Sequence, residues 1–187
     1  MLTEKYKDFI EATALEIQGC FETTKVPNKY DYSEVIRKMQ SLGAKFEQAE
    51  DNYTEENTIY LSFYDPCNFE MFETSIENRK KFFHEIWHFI SNKIDALQDY
   101  PVQEKECRVC PDHYTVASNN VLEIAANYFT RAMLLPESHF LKSIMKNLNI
   151  SGACNIFQVA KEFDVSYIDV IARGNDLNIW NTKVGKQ

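Results

Sequence analysis

Residues 80–93 read KKFFHEIWHFISNK. Two histidines, His84 and His88, stand four apart, with Glu85 directly after the first. On a helix, positions i and i+4 share one face about one turn apart, so both imidazoles can reach a single ion. Glu85 projects beside them. It is badly angled to join as a ligand but well placed to take the proton of a water held on that ion. This is the metallopeptidase reading of H-E-x-x-H. The alternative is a pair of histidines on the core face of an ordinary helix. Background residue frequencies produce the pattern in well under about one chain in a hundred of this length. The neighbours Phe82, Phe83, Ile86, Trp87, Phe89 and Ile90 are apolar. A helix this apolar is buried, where an unpaired imidazole is costly, so two histidines and a glutamate there need a partner.

The surrounding pattern makes residues 75–97 a helix, with Ile76, Phe83, Ile86, Trp87, Ile90 and Ile94 on a wide apolar face. Upstream, Leu2, Tyr6, Phe9, Ile10, Ala14 and Ile17 recur at helical spacing, giving an amphipathic helix within 2–24. A loop with Pro27 follows, and then a helix SEVIRKMQSLG, for which Ser33 is the expected N-cap and Gly43 the stop. AKFEQAE and NTIYLSFYD read as strands, the second alternating Ile59, Leu61 and Phe63 against Tyr60, Ser62 and Tyr64. DPCNFEMFET reads as a loop or an edge strand. Residues 98–120 form a long loop, and VLEIAANYFTRAMLLP (121–136) is a second buried helix. Pro136 opens another, PESHFLKSIMKNLN, and two short helices around a DVS turn follow. The expected fold class is α+β: mostly helical, with a small antiparallel sheet and a zincin-like pair of active-site helices. The expected division is a metallopeptidase domain over 1–150 and a C-terminal helical extension, 151–187, packed on it.

Composition narrows the function classes. The chain has 187 residues, 28 acidic against 20 basic, and a formal net charge of −8. An acidic protein gains little counterion-release energy on a phosphate backbone, which argues against direct nucleic-acid binding. The first twenty residues carry charges every few positions, so no secretory h-region is expected, and no apolar run reaches the length of a membrane span. Five cysteines, an odd number, are expected as reduced thiols in a cytoplasmic protein. In the C-terminal helix pair, SYIDVIARG holds one arginine and one aspartate. A DNA-recognition helix needs more basic side chains, so core packing or protein docking is the better reading.

Two histidines do not complete a catalytic zinc site, which takes three protein ligands and keeps a fourth position for water. The extended metzincin pattern needs a histidine where Ile94 stands, so that class is excluded. The third ligand must come from Glu123, Asp112, His113, Cys107, Cys110, Glu137 or His139. Glu123 is the best placed, on a second helix. Glu123, Asn127 and Arg131 form a polar stripe at i, i+4 and i+8, which on pattern alone fits a plain solvent face somewhat better than ligation. CRVCPDH (107–113) could bind a second metal with Cys67 or a distant cysteine, or act as a redox pair, but two free thiols in a loop is the simpler reading.

Three segments together, NRKKFFHEIWH, EIAANYFTRAMLLPES and QVAKEFDVSYIDVIARGNDL, resemble the ImmA/IrrE family of metallopeptidases. Arg79, His84, Glu85 and His88 match that family's R-F-x-x-A-H-E-x-G-H helix. Glu123, Ala126, Asn127, Phe129, Leu134 and Pro136 match its E-x-x-A-N-x-F-A-x-x-L-L-x-P helix. Ala160, Phe163, Val165 and Ser166 match a following A-x-x-F-x-V-S pattern. The chain departs from these motifs at Lys80, Phe83, Trp87, Thr130 and Met133. Trp87 replaces a glycine, and an indole there would narrow the cleft or stiffen the helix. The resemblance implies Zn2+ on His84, His88 and Glu123, Glu85 as general base, and cleavage of a helix-turn-helix repressor in the cytoplasm. His113 or Tyr114, in the loop between the ligand helices, is a candidate stabiliser of the transition state. The competing expectation is a zinc-containing regulatory protein that captures a repressor without cutting it.

Overall fold

The computed structural model describes residues 2–19, 31–67, 70–71, 75–93 and 121–180. His113, Tyr114, Asp112, Cys107 and Cys110 therefore lie outside the described residues. The elements run α1 (Glu4–Gly19), α2 (Tyr32–Ser41), β1 (Lys45–Gln48), β2 (Tyr53–Glu55), β3 (Thr58–Leu61), β4 (Tyr64–Asp65), β5 (Glu70–Met71), α3 (Ile76–Lys93), α4 (Val121–Leu134), α5 (Glu137–Lys146), α6 (Ile156–Phe163) and α7 (Tyr167–Asp176). The class is α+β, as the sequence indicates. No helix among the described residues is long and apolar enough to cross a membrane.

The sheet differs from the expected antiparallel one. It is mixed, in the order β1-β3-β2, with β1 parallel to β3 and β2 antiparallel to it. The physical reason is β2, a strand of three residues that pairs Thr54 with Ile59 in a tight hairpin and takes the far edge. Its inward residue is Thr54, so it lacks the apolar alternation that marks a strand. β4 and β5 form a separate antiparallel pair, so part of DPCNFEMFET is indeed strand. The N-cap of α2 is Asp31, not Ser33: its carboxylate accepts from the main-chain N–H groups of Ser33 and Glu34. Gly43, at φ 95, turns the chain out of α2 in the left-handed region that favours glycine.

The main core forms where α1, α2 and the sheet close over α3 and α4. Phe82, Phe83, Ile86 and Trp87 of α3 are fully buried in it, as are Ala125, Ala126, Phe129 and Met133 of α4. Burying each large side chain is worth roughly 1.5–3 kcal/mol. A second cluster joins Leu135, Phe140 and Ile144 to Val159, Ala160, Phe163 and Val170. Helix α5, expected on the N-terminal side of a boundary at 150, thus shares its core with α6 and α7. Val165 packs against both clusters.

Polar contacts tie the C-terminal helices to the rest. Arg79 donates to the carboxylate of Asp164 at 2.9 Å, and Lys80 to Asp169 at 2.9 Å. Lys80, a departure from the family motif, therefore has an acid to meet. Asp169 also completes a capping box with Ser166 at the start of α7. Arg173, the single basic residue of α7, is fully buried on Glu11 of α1 and the main-chain oxygen of Leu135. It is turned inward, away from any groove a recognition helix would read.

Candidate metal centre

His84 and His88 lie on α3, one turn apart, and Glu123 lies on the first turn of α4 packed against it. Their donor atoms converge. His84 Nε2 is 3.0 Å from His88 Nε2 and 3.1 Å from Glu123 Oε2, and His88 Nε2 is 3.2 Å from Glu123 Oε1. Two ring nitrogens facing each other and one carboxylate set lone pair against lone pair unless a cation or a shared proton sits among them. Bonds of about 2.0–2.1 Å to a tetrahedral zinc place neighbouring ligand atoms about 3.3 Å apart. The two ring nitrogens fit one edge of that tetrahedron, Glu123 meets them through different oxygens, and with one donor atom from each residue all three lie within 4.8 Å of one another. Among the described residues, His84, His88 and Glu123 form a group able to hold a metal ion.

Both histidines sit within ion-pair distance of Glu123, yet both have their pKa lowered. Burial is the main cause for each. For His84 it outweighs the opposing charge and hydrogen bond of Glu123 and a hydrogen bond to Asn127. For His88 it is reinforced by His84 and opposed by Glu123. At neutral pH the imidazoles are therefore neutral, the state a metal requires, and their contacts with Glu123 are not ion pairs. The His84 and His88 side chains are each 19% exposed and that of Glu123 37%, so the centre opens on the α4 side.

Glu85 is buried beside the triangle. Burial pushes its carboxyl up to about 7, against a hydrogen bond from Thr54, while nearby Glu123 raises it further. Thr54 Oγ1 lies 2.8 Å from Glu85 Oε2. A carboxyl that changes protonation near neutrality suits proton transfer. The buried position of Glu85 keeps it out of the ligand triangle, in keeping with the angle read from the sequence.

The polar stripe on α4 is not a solvent face. Glu123 meets the histidines, Asn127 hydrogen-bonds His84, and Arg131 grips Asp176 of α7 through two nitrogens. Glu137 and His139, the other described candidates for third ligand, stand on α5 outside the converging group. Trp87 does not enter the centre. Its indole is fully buried against Tyr6 and Phe9 of α1 and Phe129 of α4. Phe83 is likewise buried, against Tyr32 and Phe82. Sequence reasoning missed Thr54. The signal was a lone YTE between turn-forming residues, too short for periodicity to detect.

No family model matches the chain, and no curated protein matches it significantly.

Proposed function

We propose that this chain is a zinc-dependent endopeptidase acting on a cytoplasmic protein, with a helix-turn-helix repressor as the favoured substrate. The observation that carries the reading is the convergence of His84 Nε2, His88 Nε2 and the Glu123 carboxylate at 3.0–3.2 Å, with Glu85 buried beside them. Two imidazoles and one carboxylate favour zinc over harder cations. Zinc, when bound, supplies Lewis-acid polarisation of water and of the scissile carbonyl.

The chain's own residues do the rest. His84, His88 and Glu123 hold the ion. The Glu85 carboxylate accepts a proton from the attacking water as its oxygen bonds to the carbonyl carbon. Glu85 then returns that proton to the departing amine nitrogen as the C–N bond breaks, which leaves the carboxylate ready for another cycle. Substrate reaches the centre from the exposed Glu123 side. The repressor substrate rests on the three-motif resemblance. The competing reading, capture without cleavage, drew its support from Trp87 crowding the cleft, and the indole packs into the core instead.

The test is zinc content by elemental analysis of wild type, Glu123→Ala and Glu85→Gln, followed by incubation with a panel of purified helix-turn-helix repressors read by mass spectrometry. Wild type and Glu85→Gln should each carry about one zinc, Glu123→Ala almost none, and only wild type should generate new termini. Zinc-free wild type after reconstitution would end the enzyme reading. Cleavage surviving in Glu85→Gln would remove Glu85 from the proton path.

A further inference from the structure

We infer that Thr54 is a positioning residue for Glu85, whose carboxylate it holds from the edge strand β2. The inference rests on the peptidase reading for the role of Glu85, but its geometry stands alone. Thr54 Oγ1 lies 2.8 Å from Glu85 Oε2 and 3.1 Å from the main-chain oxygen of the same residue. The hydroxyl has one proton and two acceptors on one partner.

That arrangement suits a group that cycles between two protonation states. When Glu85 is ionised, the Thr54 hydroxyl donates to Oε2. When a proton is taken from water it goes to the other carboxylate oxygen, so Oε2 keeps accepting from the Thr54 hydroxyl. Neither state leaves a partly buried polar atom unpaired, and Oε2 stays in one place throughout. The second carboxylate oxygen remains for the proton exchanged with substrate.

The backbone beneath Thr54 is fixed. It pairs with Ile59, which is fully buried, and β2 packs on α3. An inward strand position over a helix ordinarily takes valine or isoleucine. Threonine has the shape of valine, and its hydroxyl at such a site is costly unless bonded. The residue therefore breaks the apolar pattern at the one point of β2 that meets Glu85, where a strong local deviation marks function.

The test uses the full zinc-loaded chain as wild type, Thr54→Val and Thr54→Ser. Three readouts are taken: zinc content, the 13C resonance of the Glu85 carboxyl (assigned by its loss in Glu85→Gln), and hydrolysis of labelled casein. Thr54→Val should keep its zinc, shift the Glu85 resonance and lower kcat about 10- to 100-fold with KM little changed. Thr54→Ser should restore both resonance and turnover. A Thr54→Val chain with wild-type resonance and turnover would overturn the inference. So would equal loss of zinc and turnover in both variants, which would make the role structural. If wild type cuts no casein, that counts against the peptidase reading, and the resonance alone decides whether Thr54 holds Glu85.

Discussion

The indole of Trp87 lies 5.0 Å from the ring of Phe129, centroid to centroid, and is fully buried between α3, α4 and α1. At 100° per residue it stands about 80° round the helix from the midpoint of His84 and His88. The two functions of α3 are thus separated by angle: one stripe holds the donor atoms and the next fills the core.

Trp87→Ala should therefore cost stability, not metal. Removing a fully buried tryptophan leaves a cavity and costs about 3–5 kcal/mol. Urea denaturation should show that loss, while the variant, where folded, still takes up zinc. Loss of zinc at full stability would place the indole in the metal centre and contradict the packing described.

Stability of the metal-free chain should depend on pH through Glu85. Its folded-state pKa, about 7, is raised above the ordinary 4.5. Its contribution is therefore fully present below about pH 4.5 and is lost as pH rises through about 7. The expected loss is about 3 kcal/mol. His84 and His88 act with the opposite sign: their lowered pKa values make the fold less stable as pH falls below the ordinary histidine value of 6.5. The difference between wild type and Glu85→Gln across this range isolates the Glu85 contribution. Parallel curves for the two chains would refute it.

Zinc should stabilise the fold because its ligands come from two helices that unfolding separates. At a free zinc concentration about 1,000 times Kd, binding contributes about 4 kcal/mol. For a chain of this length that raises Tm by roughly 8–16 °C. A chelator should reverse the shift. Glu123→Ala should show none and Glu85→Gln the whole of it. A Tm indifferent to zinc in wild type would argue that the triangle does not close on an ion.

Arg173 should matter to folding far from the chemistry. It donates to Glu11 and to the main-chain oxygen of Leu135, and its guanidinium lies 5.8 Å from the Tyr128 ring. Arg173→Ala strands those partners and should cost about 3–5 kcal/mol. Arg173→Lys should not restore the loss, since an ammonium cannot make the bidentate contact with Glu11. Full rescue by lysine would show that charge alone suffices.

The sequence by itself determined the ligand helix. His84 and His88 at i, i+4 are bound to share a face once α3 forms, and α3 forms because apolar residues recur around it. It also determined that α4 exists and that Glu123 starts a polar stripe there, because helical periodicity is a local property. Which third ligand faces the histidines was not local. Glu123, Glu137 and His139 were all available by type, and the packing of α4 on α3 decided among them. The orientation of Trp87 was decided in the same way, by α1 arriving to cover it. The parallel pairing of β1 with β3 and the placing of Thr54 on Glu85 depend on contacts across the sheet and between sheet and helix. A three-residue strand carries too little pattern to announce those contacts, and only the folded chain brings the hydroxyl to the carboxylate.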